Sequence, residues 1–346
     1  MKALLLSHYN NLEIADFAVP VPAPHEVLVR VAACGICGSD VHGYDGSSGR
    51  RIPPIVMGHE AAGTIAALGG SVANFSVNDR VTFDSTVSCG VCSFCARGDV
   101  NLCDRREVLG VSCQDYRRAG AFAEFVAVPS HIVYRLPPTI SFPEAALLEA
   151  VAVAVHAVAQ AHTTPGGAAL VVGAGTIGLL CLQALRAQGW SRVFIADIDE
   201  SRLTLARTFG ATATLLSDSK LDAEVKRLTN GEGVDLVVEA VGRNESVAAS
   251  IDAVRKGGTV VLVGNISPEV NLPLQKVVTR QIRLQGSCAS AGEYPRAIEL
   301  LAAGAIDVKP LITAVAPLED GPGWFKRLHA REPGLTKVVL APGTSA

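Results

Sequence analysis

Neither sign of charge is in excess in this 346-residue sequence, where 30 Lys and Arg stand against 33 Asp and Glu for a formal net charge of −3. That balance argues against a polyanion-binding surface as the chain's main business, because nucleic-acid binders carry a marked basic excess. Runs of like charge are also missing, and with them any reason to expect a charged disordered tail. Aromatic residues are scarce, with 10 Phe, 5 Tyr and 2 Trp, and this scarcity points to no function. The opening residues Met1-Lys2-Ala3-Leu4-Leu5-Leu6-Ser7-His8 lack the apolar length and cleavage site of a secretory signal. A cytoplasmic location is expected, with neither a membrane nor a nucleic acid as partner. What remains is ordinary globular material, 49% hydrophobic and 18% charged, with a length of about two domains at roughly 100 to 200 residues each.

In a reducing compartment the nine cysteines are read as metal ligands, catalytic groups or packing residues, not disulfides. Cys89, Cys92, Cys95 and Cys103 are spaced C-x2-C-x2-C-x7-C, a set of thiolates that suits tetrahedral zinc. An iron–sulfur cluster and plain core packing are the other readings of this spacing. Four sulfur ligands leave no open coordination position, so a zinc here is structural.

Between Glu149 and Arg186 the sequence has no Asp, Glu, Lys or Arg, which by hydropathy alone resembles a membrane span. Thr163-Thr164-Pro165-Gly166-Gly167 breaks it, and the half carrying His156 and His162 reads as a buried helix. The second half reads as a strand, Ala168 to Val172, a glycine turn, then a helix. That turn is Gly173-Ala174-Gly175-Thr176-Ile177-Gly178, the G-x-G-x-x-G of a dinucleotide-binding βα turn. A second strand, Arg192 to Ala196, ends at Asp197, 19 residues after Gly178, where an acid accepts hydrogen bonds from ribose hydroxyls and repels a 2′-phosphate. The cofactor expected is NAD. A strand-end turn is the other reading of Asp197, and Arg202 is a nearby cation that could tolerate NADP. Strands at about Thr214 to Leu216, Val234 to Glu239 and Thr259 to Val263, with helices such as Ser201 to Phe209 and Glu245 to Val254, complete an α/β alternation, a doubly wound parallel sheet of Rossmann type.

Upstream of the cysteine cluster stand Cys34-Gly35-Ile36-Cys37-Gly38-Ser39-Asp40-Val41-His42 and Gly58-His59-Glu60. By itself Cys34-x-x-Cys37 could be a redox pair, although the βαβ setting of a thioredoxin motif is missing. These two segments, the four-cysteine lobe and the later glycine turn, in this order, resemble the zinc-dependent medium-chain dehydrogenases over Met1 to Ala341. Within them the sequence is most similar to the polyol (sorbitol or iditol), galactitol-phosphate and threonine dehydrogenase branch. The resemblance implies a GroES-like, mainly β catalytic domain over 1–152 with the zinc lobe at about 85–105. A Rossmann NAD-binding domain follows over 153–288, and the chain returns to the catalytic domain over 289–346. It also implies two zinc ions per chain and a homo-oligomer, tetramer before dimer.

Residue by residue, the resemblance assigns the catalytic zinc to Cys37 and His59, with Glu60 as the carboxylate that binds the metal or exchanges with its water, Glu149 as a ligand directly or through water, and Cys34 as a bystander. Relatives commonly follow that last Glu with Pro, where this sequence has Ala150-Val151. Asp40 corresponds to the carboxylate that holds the His59 ring. Ser39 is implied as the hydroxyl beside the substrate alcohol, and His42 as the outer proton acceptor. The implied reaction oxidises a secondary alcohol of a polyol or sugar-like substrate to a ketone, with hydride transfer to NAD. Threonine, sugar-phosphate and simple-alcohol oxidation are the alternatives within the family, and a catalytically inactive zinc- and nucleotide-binding protein is the alternative outside it. Tyr44 to Arg51, Ser112 to Arg118 and Ser287 to Tyr294 are expected to wall a substrate cleft. Polyol enzymes tend to carry an Arg-aromatic pair where this sequence has about Cys288-Ala289. Arg50, Arg51, Arg117 and Arg118 are read as solvated arginines or as partners of a substrate phosphate or carboxylate.

Overall fold

The longest strand, Glu26–Gly35, is built on three valines and buries most of its length. The computed structural model that shows this describes residues 1–113, 117–161, 163 and 165–343. Gln114, Asp115 and Tyr116 of one expected cleft wall, and His162 of the uncharged stretch, lie outside the described residues. Glu26–Gly35 pairs antiparallel with Glu60–Leu68, Phe125–Pro129 and Lys337–Ala341. Arg80–Phe83, Val133–Arg135 and Ile312–Pro317 complete this seven-stranded sheet. Two three-stranded sheets accompany it, one of Asn11–Asp16, Lys2–His8 and Ile55–Val56, the other of Thr86–Val87, Glu107–Leu109 and Arg117–Arg118. Val29, Val31, Ile65, Phe83, Phe122 and Phe325 lie in the core of this mainly β unit.

The second unit carries a six-stranded sheet in which every pairing is parallel. Its spatial order is Ala213–Leu216, Arg192–Asp197, Ala168–Val172, Val234–Glu239, Val254–Leu262, Arg283–Gly286. Counted along the chain this is the order 3-2-1-4-5-6 of a dinucleotide-binding sheet, which reverses direction beside its first strand. Buried valines and alanines on both faces fit a sheet covered by helices. The uncharged stretch resolves into the helix Leu148–Ala159, the strand Ala168–Val172 and the helix Thr176–Ala187. No helix among the described residues is long and apolar enough to cross a membrane.

Three boundaries differ from expectation. The mainly β unit comprises Met1–Glu149, Ala297–Ala302 and Val308–Ala346, and the α/β unit Ala150–Arg296 and Ala303–Asp307. The first two of the four crossings therefore fall after Glu149 and Arg296 instead of after 152 and 288. Both lie inside helices, Leu148–Ala159 and Tyr294–Ala302, so no linker composition marks them. The strand expected from Thr259 begins at Val254. Its register shifts between the Val234–Val254 and Leu236–Thr259 pairs, and the polar, glycine-containing run Arg255 to Gly258 in that irregularity hides the strand from a pattern reading.

Candidate active site and metal centres

The first group of ligating side chains comes from a helix start and a strand start in the mainly β unit. Cys37 is the extended N-cap of the helix Gly38–Tyr44, and its N–H donates to Asp40 Oδ2 at 3.2 Å. An acid in the first turn both caps the helix and suits its dipole. His59 and Glu60 lie at the start of the strand Glu60–Leu68, where Glu60 pairs with Gly35. A Cβ on Gly35 would come within 2.3 Å of Glu60 Oε2, so only glycine leaves room for that carboxylate. One ligand atom each from Cys37, His59 and Glu60 lie within 4.8 Å of one another. Sulfur, imidazole nitrogen and carboxylate oxygen together form a donor set suited to zinc.

Three partners surround this group. Asp40 Oδ1 lies 3.4 Å from His59 Nδ1, with the ring N–H off the axis of a well-formed hydrogen bond, and 3.1 Å from Arg51 Nη2. Burial works against the Asp40 charge, yet His59, Arg51 and the Cys37 N–H together hold its pKa down at about 2. Burial also opposes charge on His59, and Asp40 and Cys37 override it, so without a metal the ring's pKa stands well above the usual histidine value. Lys337 Nζ donates to both Glu60 oxygens at 2.8 Å and to the Ile36 carbonyl at 3.1 Å. Burial works against this lysine's charge, and Glu60, Cys37 and Glu149 raise its pKa in spite of it.

Glu149 is half-buried in the same unit and accepts from Ser85 Oγ at 3.3 Å. It is not one of the three converging ligands. Burial, reinforced by the charges of Glu60 and Asp84, lifts its pKa to about 7. Cys34 is fully buried, with its thiol pKa pushed well up by burial, and it belongs to no group of converging ligands among the described residues. Ser39 and His42 occupy the first and last turns of the helix Gly38–Tyr44, and their three-residue spacing puts them on one face. Arg51 and Lys337 escaped sequence reading as members of the site. Arg51, expected as a solvated or substrate-facing arginine, is buried. Arg118 pairs with Glu26 and Glu107, whereas Arg50 and Arg117 are exposed.

The second group is the cysteine lobe. Cys92 Sγ lies 3.5 Å from Cys95 Sγ and 3.8 Å from Cys103 Sγ, and Cys89 Sγ lies 4.0 Å from Cys95 Sγ. Tetrahedral zinc with bonds of about 2.3 Å separates its sulfurs by roughly 3.8 Å, so the cage fits the ion. Backbone N–H groups of Val91 and Cys92 lower the Cys89 thiol to about 6, which favours the thiolate that a metal requires.

In the α/β unit the three fingerprint glycines meet three different demands. Gly173 has φ +101°, a conformation that other residues rarely adopt. A Cβ on Gly175 would meet nothing within 4 Å, whereas one on Gly178 would come within 1.7 Å of the Gly173 carbonyl oxygen. The loop is therefore turned at the first glycine, open at the second and tightly packed at the third, as a pyrophosphate cradle requires. Thr176 and Ile177 open the helix Thr176–Ala187 behind it. Asp197 Oδ2 accepts from the Ala174 N–H at 2.6 Å and Oδ1 from the Asp199 N–H at 2.9 Å, which ties the acid to the glycine loop. Arg202 lies 3.9 Å from Asp197 and 3.7 Å from Asp199.

Comparison with known proteins agrees with this geometry. Residues 23–138 match the alcohol dehydrogenase GroES-like domain, and residues 176–303 match the zinc-binding dehydrogenase family. D-xylulose reductase A of Aspergillus oryzae is 37% identical over 339 residues, which cover 95% of this chain and 93% of that protein. Sorbitol dehydrogenase of Bacillus subtilis is 34% identical over 348 residues, which cover 99% of this chain and 97% of that protein. A crystal structure from Sinorhizobium meliloti, described as a zinc-binding dehydrogenase bound to NADP, superposes with a TM-score of 0.89 at 32% identity over 99% of both chains. The chain belongs to the zinc-dependent medium-chain dehydrogenases, in their polyol branch.

Proposed function

We propose that this polyol dehydrogenase oxidises a secondary hydroxyl of a polyol or sugar-like substrate to a ketone with NAD as acceptor, at a centre formed by Cys37, His59 and Glu60. The convergence of those three ligand atoms within 4.8 Å carries the reading. Zinc, when bound there, supplies Lewis acidity toward a substrate hydroxyl, and the dinucleotide supplies the hydride acceptor. Cys37 and His59 hold the metal, with Asp40 orienting the ring from behind. Glu60, whose two oxygens accept from Lys337, would supply a carboxylate to the metal, and Glu149 a further one. Ser39 takes the proton from the substrate hydroxyl and passes its own outward to His42, an imidazole that can accept it and release it to solvent.

Cys89, Cys92, Cys95 and Cys103 hold a second, structural zinc, since four sulfurs close the coordination shell. Gly173, Gly175, Thr176, Ile177 and Gly178 bind the pyrophosphate, and Asp197 reads the ribose. The negative charge of Asp197, fixed by two backbone N–H groups, supports NAD over NADP. The arrangement of reduced cysteines suits the cytoplasm. Among the described residues the outer strand Arg283–Gly286 has a neighbour on one side only, and Leu274 and Val278 of the preceding helix are exposed, which supports a homo-oligomer formed through that edge.

A reduction screen with NAD and NADP across polyols, sugar phosphates, inositols and threonine tests the reading. Turnover of a polyol with NAD, lost in Cys37→Ser while nucleotide affinity persists, is the expected result. Turnover unaffected by Cys37→Ser would refute the assignment of the centre.

A further inference from the structure

We propose that Arg51 is a positioning residue of the catalytic site, its guanidinium tying the Ser39 hydroxyl to the Asp40 carboxylate that faces His59. The proposal rests on the reading above, in which Ser39 carries the proton and His59 holds the metal. Arg51 comes from a loop in which a solvated arginine would be ordinary, yet it is only 3% exposed. Its Nη2 donates to Ser39 Oγ at 3.0 Å and to Asp40 Oδ1 at 3.1 Å. The aliphatic stem crosses the helix Gly38–Tyr44 at Gly43, where a Cβ would come within 2.1 Å of Arg51 Cγ. The flanking backbone is pinned by Ser112, whose N–H donates to the Arg50 carbonyl and whose hydroxyl donates to the Ile52 carbonyl at 2.8 Å and accepts the Ile52 N–H. A glycine passage and a clamped loop thus hold a buried cation against two residues of the site.

The chemistry at Ser39 follows from its inventory of one proton and two lone pairs. With Arg51 on one lone pair, the other is left to receive a proton from the substrate hydroxyl, while the serine's own proton leaves toward the next acceptor and the hydroxyl is restored. A guanidinium stays charged throughout and cannot take up the proton itself. It therefore aims an exposed hydroxyl without interrupting the transfer. At Asp40 the same cation balances a wholly buried carboxylate, as Lys337 balances Glu60 on the other side. Arg51–Asp40 and Lys337–Glu60 thus form two buried ion pairs beside Cys37 and His59.

Holoenzyme carrying Arg51→Met, Arg51→Lys or Gly43→Ala tests this, with zinc release to a chromogenic chelator, NADH affinity, and kcat and KM each measured. Arg51→Met is expected to lower kcat and to speed loss of the more labile zinc by about tenfold each, the low end for partners behind metal ligands, with NADH affinity unchanged within about twofold. Arg51→Lys should recover part of both effects. Gly43→Ala, which leaves every polar group in place, should shift both in the Arg51→Met direction. Wild-type kcat and zinc retention in Arg51→Met would overturn the proposal. Equal weakening of both zinc sites and of NADH binding would also overturn it, because that pattern marks a merely structural residue. If wild-type protein oxidises no alcohol in the screen, the functional reading fails, and the chelator comparison alone still decides whether Arg51 supports the metal site.

Discussion

Lys337 Nζ lies 2.8 Å from both carboxylate oxygens of Glu60, and both side chains are almost wholly excluded from solvent. The two residues are 277 positions apart, and the pair joins the last strand of the mainly β unit to the strand that delivers His59. A buried pair of this kind contributes little net stability relative to apolar replacements, but breaking it by removing one partner leaves an uncompensated charge. Lys337→Met should therefore destabilise the protein by about 3–5 kcal/mol, read by chemical denaturation. The double variant Glu60→Gln/Lys337→Met should lose clearly less than the two single losses combined, and simple additivity would show that the residues are not energetically paired.

Metal content separates the two proposed centres. Wild-type protein should carry about two zinc ions per chain, the number that one closed and one open site together require. Cys37→Ser should lose one ion together with turnover, and Cys89→Ala should lose the other together with thermal stability. Protein that holds a single ion, lost in Cys89→Ala and kept in Cys37→Ser, would contradict a metal at the catalytic position.

Cofactor choice depends on a charge, whereas the Asp197 contact to Ala174 depends on shape. Asp197→Asn keeps an oxygen for the Ala174 N–H and removes the charge that repels a 2′-phosphate. The ratio of kcat/KM for NADP to that for NAD should rise by about tenfold, a difference of roughly 1.4 kcal/mol. An unchanged ratio would show that Asp197 does not read the ribose.

The pH dependence of the metal-free protein has a definite sign. Burial lifts Glu149 to about 7 from its ordinary 4.5, so between those values the folded state binds more protons than the unfolded one. Stability attributable to Glu149 is present below the lower value and is lost as pH rises through about 7. His59, also raised, acts in the same direction, whereas Asp40, lowered to about 2, contributes stability above its ordinary range that is lost only toward that pH. Urea denaturation of metal-free wild type should show falling stability from pH 5 to pH 8, and Glu149→Gln should flatten the fall. Because these protons must leave before a metal is ligated, zinc affinity should rise over the same interval.

Local sequence patterns were enough to read the parts of this protein whose chemistry lies in short segments. The strand Ala168–Val172 and the turn from Gly173 to Gly178 were legible because each glycine answers a backbone constraint within six residues. The four lobe cysteines were legible because a tetrahedral cage needs close spacing, and Cys37, Asp40, His59 and Glu60 because they stand in two short motifs. Domain crossings at Glu149 and Arg296 were not legible, since both fall inside helices that are continuous in pattern. Arg51 and Lys337 were not legible either, because nothing nearby in sequence distinguishes a buried cation from a solvated one. Only the tertiary structure brings Lys337 across 277 positions to Glu60 and lays Arg51 over Gly43 onto Asp40 and Ser39. The sequence alone thus determined the family, the short motifs that carry the candidate ligands, and the glycine turn. The fold decided which charges are buried together, because that depends on strand pairing between distant segments and not on any local pattern.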